Sequence, residues 1–112
     1  MKTNELKDLA LDWAVAKCEH DELSMKVIQY PAYAGALPIP NPSTNWAQGG
    51  PIIEREFIQL NTILNIETGA VSWFANMPPG FVGRGPTPLI AAMRCYVASK
   101  LGDDIEIPKE LT

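Results

Sequence analysis

Two short stretches of this chain share a grammar suited to anion chemistry: "QGGPIIE" at 48–54 and "GRGPTPLI" at 83–90. In each, glycine precedes proline and an apolar helix-forming run follows. A helix opening there carries unsatisfied first-turn N–H groups and roughly half a positive charge. Such an end holds a phosphate or carboxylate without basic side chains. Arg55 stands beside the first stretch and Arg84 beside the second. Trp46 and Trp73 offer ring faces on which a base could stack, worth about 1–3 kcal/mol. Trp46, Gly49, Gly50, Arg84, Gly85 and Thr87 are therefore the expected ligand-binding set, around a cavity within or between subunits. The architectural alternative is plain: Gly-Pro before a helix is also ordinary stop-and-start grammar, and tryptophans commonly fill cores.

Other chemistries find less in the sequence. Neither G-x-G-x-x-G nor G-x-x-x-x-G-K-[ST] occurs, so a classical mononucleotide loop is excluded. His20 is the single histidine, which leaves no basis for a His-rich metal site or a Ser-His-Asp triad. Cys18 and Cys95 stand apart, outside any C-x-x-C pair, and read as reduced, packed thiols. Glu54 and Glu56 lie two apart and would point to different sides of a helix. Arg94 borders an apolar helix face and is expected to pair with Glu54 or Asp12. No metal or cofactor is expected, and an enzyme is the weakest functional class.

The chain has 112 residues, 46% of them hydrophobic and 20% charged, with a formal net charge of −4. That length fits one domain, 1–112, with one core. The acidic balance argues against an extended nucleic-acid contact, which needs a basic surface. No apolar run approaches the roughly 20 residues of a membrane helix. The opening "MKTNELKDLALDW" carries acidic residues and no apolar h-region, so no signal peptide is expected.

The elements follow from periodicity. Residues 4–19 read as a helix capped by Thr3 or Asn4. "MKVIQY" at 25–30 reads as a strand, and the four prolines of 31–45 exclude helix there. That segment, with Tyr30, Tyr33, Leu37 and Ile39, should lie over the domain, with a lid or arm packing on a neighbouring subunit as the functional alternative. A short helix is expected from Pro51, capped by Gly50, with Ile52, Ile53 and Phe57 on its buried side. Strands at 58–64 and 70–75 form a hairpin around "ETG", with Val71, Trp73 and Ala75 on one face. "NMPPGFVGRGP" at 76–86 reads as a long irregular loop, and "GDDIEIPKEL" at 102–111 as a solvated tail.

The last helix has agreeing signals: Thr87 at the N-cap, Pro88 at N1, Gly102 after the end. It is apolar almost all round. Leu89, Ile90, Met93, Tyr96, Val97 and Leu101 form one face, and the small residues Ala91, Cys95 and Ala98 the other. A helix of that kind is buried on both sides. Its small face is expected against another helix, either the one carrying Trp13 or one from a second subunit, which points to a homo-oligomer. The predicted class is α+β: three helices packed on a small antiparallel sheet, with a Pro-rich loop.

Four segments in order carry a family resemblance: "LDWAVAKCE", "PSTNWAQGGPIIERE", Trp-x-Ala at 73–75, and "GPTPLIAAMRCYVASKLGDDIEIP". The chain resembles the NinX-like small phage proteins over nearly its whole length. The resemblance implies a phage or prophage accessory protein made in the bacterial host cytoplasm, and it implies no particular activity. Three functions are then weighed. One is non-enzymatic binding of a small anionic nucleotide-derived ligand, sequestering a host defence signal as a sponge would. Another is an interaction module that inhibits or redirects a host protein. The third is a small hydrolase or nucleotidyl enzyme with Glu54 as base.

Overall fold

The computed structural model describes residues 1–19 and 41–107 of the chain. The expected strand at 25–30, His20 and the segment 31–40 lie outside the described residues. The structure has a 3-10 turn, Thr3–Glu5, followed by helices α1 (Asp8–Glu19) and α2 (Trp46–Arg55). Strands β1 (Gln59–Leu64), β2 (Val71–Met77) and β3 (Phe81–Gly85) come next, and helix α3 (Pro88–Leu101) follows them. The strands form one antiparallel sheet in the order β1-β2-β3. Three helices on a three-stranded antiparallel sheet make the fold α+β, as the sequence predicts.

The apolar character of α3 follows from its place as the middle layer. It packs on β2 and β3 on one side and meets α1 on another. Ala91, Ala92, Met93, Cys95 and Val97 have no exposed surface at all. At Ala91 and Cys95 the small face meets the sheet rather than the expected helix. A Cβ built on Gly83 would collide with the Ala91 carbonyl oxygen and the Cys95 backbone. One on Gly85 would sit 2.8 Å from Ile90 Cγ2. Glycines at alternate positions of β3 thus let the strand come close under the helix.

Those same glycines hid β3 from the sequence reading. The segment expected as irregular loop contains a regular strand, because its turn-like composition serves close approach rather than turning. The hairpin expectation holds within a residue or two: Leu64 pairs with Val71 and Gln59 with Asn76. Val71, Trp73 and Ala75 share the helix-facing side of the sheet, as predicted. Ala75 is fully buried there.

Three local expectations are corrected. First, α2 begins at Trp46, not Pro51; Asn45 is its N-cap and its side chain accepts from the Ala47 N–H at 2.9 Å. Pro51 lies inside α2, where it has no N–H to give to the Ala47 carbonyl. Second, Phe57 is 79% exposed rather than buried, at a left-handed φ of 56° between α2 and β1. Third, the acidic tail is tied down as far as it is described. Thr3 N–H donates to Asp103 O at 2.8 Å, Ile105 N–H to Met1 O at 2.9 Å, and Ile105 is buried in the core. Thr3 and Asn4 consequently do not cap α1. Thr3 Oγ1 donates to Gly102 O at 2.6 Å, and Asn4 Oδ1 accepts from Arg84 N–H at 3.1 Å.

Candidate functional site

The N-termini of α2 and α3 converge on one cleft of about 240 Å³, lined by Ser43, Thr44, Trp46, Thr87, Pro88, Leu89 and Ile90. Both ends are built by capping. Asn45 caps α2, and Thr87 Oγ1 accepts from Ile90 N–H at 3.2 Å to cap α3. Pro88 has no N–H. Capping therefore leaves the N–H groups of Trp46 and Leu89 without a partner among the described residues. Both residues line the cleft.

Gly49 holds the two ends together. A Cβ there would lie 2.5 Å from Pro42 O and 2.6 Å from Leu89 Cδ2. Only a residue without a side chain lets α2 settle against the 41–45 turn and the start of α3. Gly50 meets nothing closer than the Trp46 ring, 4.0 Å away. Of the expected binding set, then, Trp46 and Thr87 line the cleft, Gly49 packs against Pro42 and Leu89 beside it, and Gly50 lies one turn along α2. Gly85 is packed under Ile90, a lining residue.

Arg84 is placed elsewhere. Gly83 and Gly85 face α3, so the residue between them faces the other side of the sheet. There the Arg84 guanidinium lies 5.7 Å from the centre of the Phe74 ring. Arg55 is at the far end of α2. Its guanidinium donates to both Glu19 oxygens at 3.0 and 2.8 Å and to Glu56 at 2.8 Å. Tyr96 Oη donates to Glu19 at 2.6 Å, so this cluster binds the ends of α1 and α2 to α3. Burial and the Glu19 carboxylate push the Tyr96 hydroxyl well above the ordinary phenol range. Trp73 packs against the core instead of the cleft.

Arg94 pairs with neither Glu54 nor Asp12. It donates to two backbone carbonyls, Leu6 O at 2.8 Å and Arg84 O at 2.7 Å, and so fastens the N-terminal segment to β3. Desolvation lowers its pKa. Asp12 is buried and accepts from the Ser43 N–H at 2.9 Å, anchoring the turn that forms one wall of the cleft. Burial raises its pKa, against the opposing effect of the Ser43 contacts.

Ser43 is the residue that sequence reasoning missed. It is 2% exposed, lines the cleft, and acts on the buried Asp12 carboxylate through both its backbone N–H and its side chain. Its signal in the sequence was slight: a serine in a Pro-rich run, two residues before a cap. Both thiols are pushed up by burial, Cys18 to about 12 and Cys95 to about 11, which keeps them protonated at neutral pH. No group of three or more metal-ligating side chains occurs among the described residues. No helix among them is long and apolar enough to cross a membrane.

The arrangement sets threonine side chains, two capped helix starts and an exposed indole around one opening, with no basic side chain among its described lining residues. A family model described as "Bacteriophage P22, NinX" matches residues 2–100. No curated protein matches the chain.

Proposed function

We propose, from the premise that the chain belongs to the bacteriophage P22 NinX family, that it is a non-enzymatic phage accessory protein that captures a small anionic nucleotide-derived ligand. It acts in the host cytoplasm and withdraws a defence signal by stoichiometric binding. The observation that carries this reading is the convergence of two capped helix N-termini on one cleft beside an exposed indole. Donors without basic side chains suit anion binding by an acidic protein. Trp46, 54% exposed at the same cleft, supplies a stacking face.

The volume limits the ligand. Pockets that engulf a whole small molecule run from roughly 300 to 1,000 Å³, and this cleft holds about 240 Å³. It takes one anionic group and its sugar, with the base stacked outside on Trp46. Among the described residues no nucleophile–base pair lines the cleft, and Glu54, the base weighed for a hydrolase, is not among its lining residues. Capture without turnover is the reading this supports.

The test is a melting panel of nucleoside monophosphates, cyclic nucleotides and nucleoside diphosphates. A ligand at 100 times its Kd stabilises the fold by about 2.7 kcal/mol. The reading predicts such a shift for at least one member, abolished in Trp46→Ala, and recovery of the ligand intact after denaturation. A converted ligand would point to an enzyme. No shift across the panel, with the chain instead pulling down one host protein stoichiometrically, would favour an interaction module.

A further inference from the structure

The two edges of the sheet are treated differently. The outer edge of β3 is guarded: Asn4 accepts the outward Arg84 N–H at 3.1 Å, and Arg94 donates to the Arg84 carbonyl at 2.7 Å. Among the described residues the outer edge of β1 has no such cover. It runs six residues, Gln59–Leu64, in unbroken one-to-one register with β2, with no bulge, proline or charge. Edges that must stay single usually carry one of those devices. Four large apolar side chains of the β1–β2 hairpin are exposed: Ile63, Leu64, Ile66 and Val71. Residues 57–66 hold no charged group in a chain of net charge −4, so two copies meet here without the repulsion the rest of the acidic surface would impose.

The register identifies which backbone groups are free. Asn65 N–H donates to Ala70 O at 2.8 Å, so Asn65–Ala70 is a hydrogen-bonded pair. Alternation along an antiparallel ladder then turns Ile63, Asn61 and Gln59 toward β2, and Leu60, Thr62 and Leu64 outward. We propose that these outward groups pair with those of a second copy, joining two sheets edge to edge about a two-fold axis at Thr62. Thr62 then faces the partner's Thr62, and Leu60 faces the partner's Leu64. The side chains of Leu60, Thr62 and Leu64 lie on the helix-facing side of the sheet, as their pairing with Ala75, Trp73 and Val71 shows. The junction thus places leucine against leucine on each side of a threonine pair, and both kinds of cross-strand contact stabilise sheets.

The test uses the full chain and light scattering at micromolar concentration, with three variants. Thr62→Pro removes an outward N–H and leaves the ladder to β2 intact. Leu64→Glu sets a charged side chain against the partner's Leu60, at a position already 59% exposed. The expected result is a dimer for the parent and a monomer for both variants, each with unchanged circular dichroism. Thr62→Cys should give a disulfide-linked dimer on mild oxidation, because residues opposite in a hydrogen-bonded pair are about 5.5 Å apart at Cα. Cys18 and Cys95, held protonated, should not compete. A parent that is monomeric throughout, or a dimer that survives Leu64→Glu, would overturn the proposal. Should Thr62→Pro misfold, Leu64→Glu and Thr62→Cys decide it.

Discussion

Gly83 and Gly49 carry more of this structure than their lack of a side chain suggests. Gly83→Ala drives a methyl into the backbone of α3, and overpacking of a tight contact costs about 1–3 kcal/mol. Denaturant unfolding should show a lower midpoint with an unchanged slope. Asp12 makes a prediction with a definite sign. Burial raises its folded pKa above its unfolded value, so the fold favours the neutral carboxyl. That contribution is full below the unfolded pKa and is lost as pH rises through the folded one. Asp12→Asn should therefore be less sensitive to pH between 4 and 7 than the parent, while its amide oxygen can still accept from Ser43. Parallel stability curves for the two would refute the burial argument. The thiols give a simple check. With Cys18 pushed to about 12 and Cys95 to about 11 by burial, neither should alkylate at neutral pH until the chain unfolds.

Among the elements, α3 was fully legible. Its cap, its proline and its terminal glycine are local signals, and local signals survive in a single sequence. Thr87→Ala should cost about 1 kcal/mol by losing the cap, read as a lower melting temperature without ligand. α2 shows the opposite case. "GGP" looks like a helix start, yet the stronger cap, Asn45, lies a turn and a half earlier, and the glycine at 49 exists for contact with Pro42 and Leu89. A contact partner seven or forty residues away leaves no trace in local periodicity. β3 was missed for the same reason. Arg84 looked like a ligand group beside a helix start, but strand alternation turns it to the far face. Phe57 tests an element boundary. At a φ of 56° a non-glycine residue is strained by roughly 1–2 kcal/mol, so Phe57→Gly should leave stability unchanged or raised despite the lost ring.

At the scale of the molecule, one central helix explains the layout. α3 touches the sheet, α1 and α2, and its N-terminus is where α2 also begins. The ion-pair cluster of Glu19, Arg55 and Tyr96 locks the opposite end of α2. The cleft is thus held from two ends by rigid elements, the arrangement that a preorganised binding site requires. The proximity of Trp46 and Thr87 was legible in outline, because both sit in stretches with helix-opening grammar. Ser43 and the packing role of Gly49 were not, since both depend on tertiary contacts. The most direct test of ligand capture is an amide NMR titration of the parent with the nucleotide panel that the melting experiment uses. Anion capture predicts that the largest shifts for a bound nucleotide fall on the N–H groups of Trp46 and Leu89, with Ser43 and Thr87 next. Saturating shifts centred instead on Glu19, Arg55 and Tyr96, or no shift from any nucleotide, would contradict it.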